Sequence, residues 1–274
     1  MINATNINDS NNNNETTRGG GTLSIMTYNV YMNGYADEEK GPLTVQAILE
    51  SGHDVVCLQE SNKGWQDLLQ EQSVYPYTHF RHDQGPYGGR AVLSKYPFAA
   101  EPQWLDRVFD WWYGALHATL QVNDTTVVSV LSLHLRAPFP SNPFLVQQQR
   151  RQEIETHWNG LLFPTTTSSS ANKEQTDASE GKACPPHRII VLGDFNTREG
   201  PCHGFLRRQG LRNALLSSKK KLHAWFLQTW HYGMVGMLFD HIYYNPALME
   251  LVDADIPKVG GSDHWPVIAK FEIL

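Results

Sequence analysis

The sequence predicts a layered α/β sandwich in which mixed β-sheets are covered by helices. Short apolar segments alternate with amphipathic ones along most of the chain, the pattern of strands joined by helical crossovers. Two segments, Asp54–Gln59 and Arg188–Leu192, are nearly continuous apolar runs, as strands buried on both faces are. Other strand-like segments follow one another through short turns, so antiparallel pairs are interleaved with the crossovers.

The elements fall in order as follows. Residues 1 to 21 are dominated by Asn with Asp, Ser, Thr and Gly, and lack the apolar surface needed to offset ordering entropy, so a disordered tail is expected. Leu23–Val30 alternates with period two and reads as a strand. Val45, Ile48 and Leu49 make a short amphipathic helix after Pro42, closed by Gly52. The Asp54–Gln59 strand and a helix through Trp65, Leu68 and Leu69 come next. Residues 89–95, 114–122 and 126–135 read as strands, the last two joined by a turn at Asn123-Asp124. A Gln-rich helix covers about 143–160. A biased stretch at 164–186, with Thr165-Thr166-Thr167-Ser168-Ser169-Ser170 at its centre, reads as an inserted surface loop inside one domain spanning 22–274. The Arg188–Leu192 strand, a helix near 201–209 and strands near 238–244 and 265–272 complete the chain.

Composition bounds the function. With 274 residues, 41% of them hydrophobic and 18% charged, the chain can bury a large core. A net charge of −6 argues against a permanent basic face for gripping duplex nucleic acid, although a local basic rim is compatible with it. Cys57, Cys184 and Cys202 are odd in number and form no C-x-x-C pair, so neither a disulfide framework nor a structural zinc site is indicated. A reducing, intracellular location (cytoplasm or nucleus) and a monomer are the expectations. There is no long apolar span, and the N-terminus lacks the order of a signal peptide.

Polar clusters stand at the ends of the apolar strands: Asn29 after the first, Glu60 after the second, Asp194 and Asn196 after 188–192, and Ser262-Asp263-His264 before the last. Strand ends are where α/β proteins form their binding crevices. Taken singly, an Asn or Asp after a strand is usually a turn former or a helix cap, and a lone Glu60 is more often a solvated strand-end residue than a metal ligand. Together they make a set that suits magnesium, a hard ion held by one or two carboxylates with waters and substrate phosphate. Glu60 and Asp263 supply carboxylates, while Asn29 and Asn196 supply amides that orient phosphate or water without repelling an anion. Asp240-His241 and Asp263-His264 place carboxylates near imidazoles, as acid–base histidines require.

At these residues the sequence resembles the endonuclease/exonuclease/phosphatase superfamily of DNase I-like proteins. The resemblance rests on Thr27-Tyr28-Asn29-Val30, Leu58-Gln59-Glu60, the Gly88–Pro97 stretch, Leu133-His134-Leu135, Gly193-Asp194-Phe195-Asn196, Phe239-Asp240-His241-Ile242 and Ser262-Asp263-His264, in family order. It implies a four-layer sandwich of two mixed sheets flanked by helices and a metal-dependent hydrolase acting on phosphate esters. It further implies Mg2+, with Mn2+ as a substitute, held by Glu60 with Asn29 and Asp263. Asp194 would orient or deprotonate the attacking water, Asn196 would hold a phosphate oxygen, and His264, paired with Asp240, would contact the phosphate. His134 matches a position that assists the leaving oxygen in nuclease members.

Two positions depart from the family pattern. Arg90 stands where members often carry Asn, and is either a substrate-phosphate clamp or a solvated strand residue. Leu238-Phe239 precede Asp240 where many members have Arg, and Arg136 is a candidate to supply the missing phosphate contact. Trp111-Trp112-Tyr113 reads as packing under a loop, and Lys219-Lys220-Lys221 as a solvated turn. His79 and His82 lie in a loop-like region, and no apolar hairpin of the kind that enters a membrane stands out. A nucleic-acid phosphodiester is the expected substrate, with nucleotides, inositol phosphates or a sphingolipid as the alternative. A non-catalytic binding module of the same fold would be expected to have lost part of the polar set, which is complete here.

Overall fold

The computed structural model describes residues 21–82, 87–109, 113–138, 142–162, 187–218, 227–233 and 235–274. The expected N-terminal tail (but for Gly21), the 164–186 insertion, Trp111-Trp112 and Lys219-Lys220-Lys221 lie outside the described residues.

Two six-stranded mixed sheets form the body. The first contains β1 (Thr22–Asn29), β2 (Val55–Gln59), β3 (Tyr77–Arg81), β4 (Arg90–Ser94), β13 (Met249–Asp255) and β14 (Val267–Ile273), in the order β13-β14-β1-β2-β4-β3. The second contains β5 (Phe98–Leu105), β6 (Ala115–Asn123), β7 (Thr126–His134), β8 (Ile189–Asp194), β9 (Arg212–Asn213) and β12 (Asp240–Tyr244), in the order β5-β6-β7-β8-β12-β9. Each sheet is built around one parallel pair, β1 with β2 and β7 with β8, and every other pairing is antiparallel. The parallel pairs require crossovers, which run through α1 (Lys40–Leu49) and α3 (Pro143–Leu162).

Period-two alternation sorts the side chains into three apolar layers. Cys57, Val92, Val130, Ile190, Leu192 and Ile242 point between the sheets and fuse them into the central core. Their neighbours Val56, Leu58, Ala91 and Leu93 point outward, onto Ile48 of α1 and Trp65 and Leu69 of α2 (Lys63–Gln70). On the far side Leu131, Leu133 and Val191 meet Ile154 and Trp158 of α3 and Phe205 and Leu206 of α4 (Pro201–Arg208). Strands covered on both faces must be apolar throughout, which is why β2 and β8 read so clearly in the sequence. The result is helix, sheet, sheet, helix: the four-layer sandwich.

Several elements differ from the sequence reading. The edge strands β3, β5 and β13 were not expected, because half-exposed edges mix charged residues into the alternation. His79 therefore lies in β3 rather than in a loop, with Nδ1 3.3 Å from Glu101 Oε1. A two-stranded hairpin, β10 (Trp230–Tyr232) and β11 (Val235–Met237), was also missed. Among the described residues no helix is long and apolar enough to cross a membrane.

Candidate active site

The topology brings one end of both parallel pairs to the same edge of the sandwich. β1 and β2 run parallel and deliver Asn29 and Glu60 there. β7 and β8 deliver His134 and Asp194, which are register partners. The antiparallel β12 and β14 begin at that edge, so Asp240 stands opposite Asp194, and Asp263-His264 precede β14 beside the end of β1.

Asn29 joins the two sheets. Its Nδ2 donates to Glu60 Oε1 and to Asp194 Oδ2, each at 3.1 Å, while its Oδ1 accepts from Tyr31 N–H at 3.1 Å. Met32 N–H donates to the other Glu60 oxygen at 3.1 Å. Burial raises the Glu60 carboxyl above the usual carboxylate range, against the pull of these donors. Asp194 is fully enclosed; burial and the nearby Asp240 raise its carboxyl also.

Two histidines flank Asp194 Oδ2, His134 Nε2 at 3.6 Å and His264 Nε2 at 3.8 Å. His264 Nδ1 lies 2.7 Å from Asp240 Oδ2. Burial alone would depress the His264 imidazole, but Asp240, with Asp194 and Asp263 beyond it, raises it to about 10. His264 is therefore a buried imidazolium at neutral pH. Asp240 is held in turn by its own N–H on Thr229 Oγ1 at 3.0 Å. Ser262 Oγ donates to Asn29 O at 2.7 Å and accepts from His264 N–H at 3.1 Å, tying the last motif to the first strand. Asp263 Oδ2 accepts from the Trp230 indole at 3.1 Å.

Asn196 N–H donates to Asp194 Oδ1 at 2.7 Å, and its Nδ2 to Leu135 O at 2.9 Å. The described non-glycine residues with positive φ are Tyr31 (57°), Glu60 (58°) and Asn196 (53°), and all three lie at this edge. Left-handed backbone of this kind is costly for Glu and Tyr and concentrates where a site fixes its geometry.

Arg90 is neither solvated nor at the surface. It shares the inward face of β4 with Val92, has no exposed area, and donates through Nη1 to Gly88 O at 2.9 Å and Gly89 O at 2.8 Å. Its Nε and Nη2 have no hydrogen-bond partner among the described residues. Burial lowers the guanidinium to about 10, still charged at neutral pH, with Glu60 and Asp194 stabilising that charge. It is enclosed between the sheets, out of reach of solvent. Arg136 follows β7 but turns onto α3, donating to Gln149 Oε1 at 2.8 Å.

The sequence reading missed the Tyr31 and Met32 N–H donors and the Thr229 hydroxyl that accepts from Asp240 N–H, which are backbone groups or a hydroxyl with no motif of their own. It also missed the rim of the site. The β10–β11 hairpin is fastened there by His231 N–H on Asp263 O at 2.9 Å and a bridge from Trp230 to His264, and it carries the exposed Tyr232, Val235 and Met237.

The Endonuclease/Exonuclease/phosphatase family profile matches residues 26–264, which include every motif residue at this edge. The chain belongs to the endonuclease/exonuclease/phosphatase family. Among solved structures, a humanized D. rerio TDP2 is 19% identical, with a TM-score of 0.65 over 92% of this chain and 99% of that one. D. rerio TDP2 complexed with a single-strand DNA product is 17% identical, with a TM-score of 0.65 over 92% and 99%. SmcL is 16% identical, with a TM-score of 0.59 over 92% and 99%. At such identities these likenesses establish the DNase I-like fold. No curated protein sequence matches the chain significantly.

Enzymes of this family use divalent metals, and the residues present fit one. Glu60, partly buried, and Asp194, fully buried, are carboxylates that share a single amide donor, an oxygen-rich set that suits a hard cation. The ligand atoms of Asp194, Asp240 and His264 also lie within 4.8 Å of one another and could hold an ion. Asp240 and His264, however, already bind each other at 2.7 Å, so the oxygen-rich side at Glu60 is the better place for a hard ion.

Proposed function

We propose that this chain is a magnesium-dependent phosphodiesterase acting on nucleic acid by in-line attack of water. The carrying observation is the Asn29 bridge, which joins Glu60 of one sheet to Asp194 of the other beside the Asp240–His264 pair. Bound at Glu60 with Asn29 and Asp263, the ion (Mg2+, or Mn2+ in its place) supplies Lewis-acid neutralisation of phosphate charge. Asp194, its carboxyl raised by burial, orients the attacking water and takes its proton. Asn196 spends one amide hydrogen on Leu135 O and offers the other to a phosphate oxygen. The His264 imidazolium, fixed by Asp240, stabilises the charge that grows on the pentacoordinate phosphorus. His134, its imidazole held neutral, faces the leaving oxygen.

The buried Arg90 supplies its charge to this site from between the sheets rather than by contact with substrate. A nucleic-acid substrate is supported by the fold shared with D. rerio TDP2, whose structure holds a single-strand DNA product. A second reading, a sphingolipid or other phospholipid headgroup, is supported by the exposed Tyr232, Val235 and Met237 on the rim hairpin.

The test is a hydrolysis panel with Mg2+: plasmid DNA, single-stranded RNA, nucleotides, inositol phosphates and sphingomyelin vesicles, with Glu60→Ala as the blank. Single- or double-stranded nucleic acid should be cut fastest, and Glu60→Ala should lose about 10³-fold or more of the rate while melting like the parent. Cleavage of sphingomyelin alone would move the assignment to the second reading. Undiminished hydrolysis in excess chelator would overturn the metal-dependent mechanism.

A further inference from the structure

Two buried histidines outside the Asp194–His264 cluster converge on one atom. His203 of α4 and His241 of β12 each place Nε2 on the Thr197 carbonyl oxygen, at 3.1 and 3.0 Å. Both rings are buried, and they meet edge to face with centroids 4.6 Å apart. A carbonyl oxygen has two lone pairs and cannot donate, so both Nε2 atoms carry the proton. Burial keeps both rings neutral, so the opposite nitrogens accept. His203 Nδ1 takes the Tyr243 hydroxyl at 2.8 Å, and His241 Nδ1 takes Asn213 Nδ2 at 3.0 Å. The Asn213 amide cannot turn over freely, because its Oδ1 already accepts from Leu216 N–H at 3.2 Å. Phe195 stacks on His203 at 5.3 Å and meets His241 edge-on at 5.3 Å, filling the space between the rings and the turn.

Thr197 closes the turn Asp194-Phe195-Asn196-Thr197, which Asn196 enters in the left-handed region at φ 53°. Turn and carboxylate are coupled directly, since Asn196 N–H donates to Asp194 Oδ1 at 2.7 Å. We infer that His203 and His241 are positioning residues: a pair of neutral imidazoles that clamps the Thr197 carbonyl and so fixes where Asp194 and Asn196 stand. The role of that turn in hydrolysis rests on the phosphodiesterase reading above; the clamp itself does not. His241 adjoins Asp240 in sequence but faces the opposite side of β12, so one dipeptide serves the His264 pair on one face and the turn on the other.

The chemistry of the clamp separates it from simple core filling. Glutamine can present a side-chain N–H where the His Nε2–H stood; leucine fills the space and donates nothing. The experiment compares Gln and Leu variants at 203 and 241 by amide hydrogen exchange of the 194–198 segment and by steady-state kinetics on bis(p-nitrophenyl) phosphate with Mg2+. Each Leu variant should speed exchange at Asn196 about 10-fold or more. Each should also lower kcat by up to about 10²-fold with KM little changed, the cost of a misplaced catalytic group. Each Gln variant should restore most of both. Tyr243→Phe, which keeps the ring and removes the hydroxyl that meets both His203 Nδ1 and the Asn213 side chain, should move both readouts the same way by less, and it covers a Leu variant that fails to fold. Gln and Leu variants that behave alike, or Leu variants with unchanged exchange and kcat, would overturn the clamp. Accelerated exchange in a protein whose wild type shows no hydrolysis would leave the clamp standing and remove only the phosphodiesterase reading.

Discussion

His134 and His264 approach the same oxygen, Asp194 Oδ2, at nearly equal distance, and both are buried, yet the fold holds them in opposite charge states. On the β12–β14 side, Asp240 at 2.7 Å outweighs burial and makes His264 an imidazolium. On the β4–β7 side, burial first and then the Arg90 guanidinium drive His134 well below the ordinary range, so its imidazole is neutral. The comparison teaches that distance to the shared carboxylate does not decide protonation here; the charge behind each ring does. One side of the site thus offers a fixed cation to a phosphate, and the other a neutral ring beside the leaving group.

The largest effect should come from breaking the His264 side. Asp240→Asn and His264→Ala should each lower kcat about 10²-fold or more. The double variant should be little worse than His264→Ala, because residues that act as one unit are not additive. Strict additivity in that cycle would show two independent groups. The stability conferred by the pair has a definite sign. Since the folded imidazole is raised to about 10, its contribution is complete below the unfolded value near 6.5 and fades as the pH rises towards 10. The melting-temperature gap between wild type and Asp240→Asn should close over that window.

On the other side, His134→Ala should cost less, about 10-fold on a substrate with a poor leaving group and little on a nitrophenyl ester. Equal losses on both substrates would remove His134 from leaving-group chemistry. Arg90→Met should sharpen the contrast further. Removing the guanidinium takes away one cause of the His134 depression, so its imidazole should titrate higher by NMR while His264, governed by Asp240, moves little. A large His264 shift with none at His134 would reverse the assignment of the two environments.

The smallest effect is spread over the scaffold. His117, His157 and His203 are lowered to about 4 and His241 to about 3, chiefly by burial. Their unfolded forms bind protons first, so stability should fall as the pH drops from about 6.5 towards 4. A melting temperature constant across that range would show that these rings accept protons in place.

Much of the fold was legible because double burial leaves a local signature. The runs Val55–Gln59 and Ile189–Asp194 are apolar on both faces and could be little else than central strands. The edges β3 and β5 were not legible, since a half-solvated strand such as Tyr77–Arg81 carries the charges a loop would carry. The hairpin β10–β11 escaped for a related reason. Each of its strands is three residues long, too short for a period to register.

The sequence by itself determined the layered α/β class, the order of the polar clusters and the residue types that a hard-metal phosphate chemistry requires. Those follow from composition and local periodicity, which each segment carries alone. The tertiary structure decided which of these residues meet. The Asp240–His264 pair, expected from the family resemblance, forms across 24 positions, while the neighbouring His241 is turned away because successive residues of a strand face opposite ways. Asn29 and Asp194 are 165 positions apart and touch only because both parallel strand pairs end at one edge. Arg90 is buried and not solvated because the inward face of β4 lies under a second sheet, which no local pattern encodes. Protonation follows from the same fact: it depends on burial and on charges brought near in space, and neither is a property of a residue's sequence neighbours.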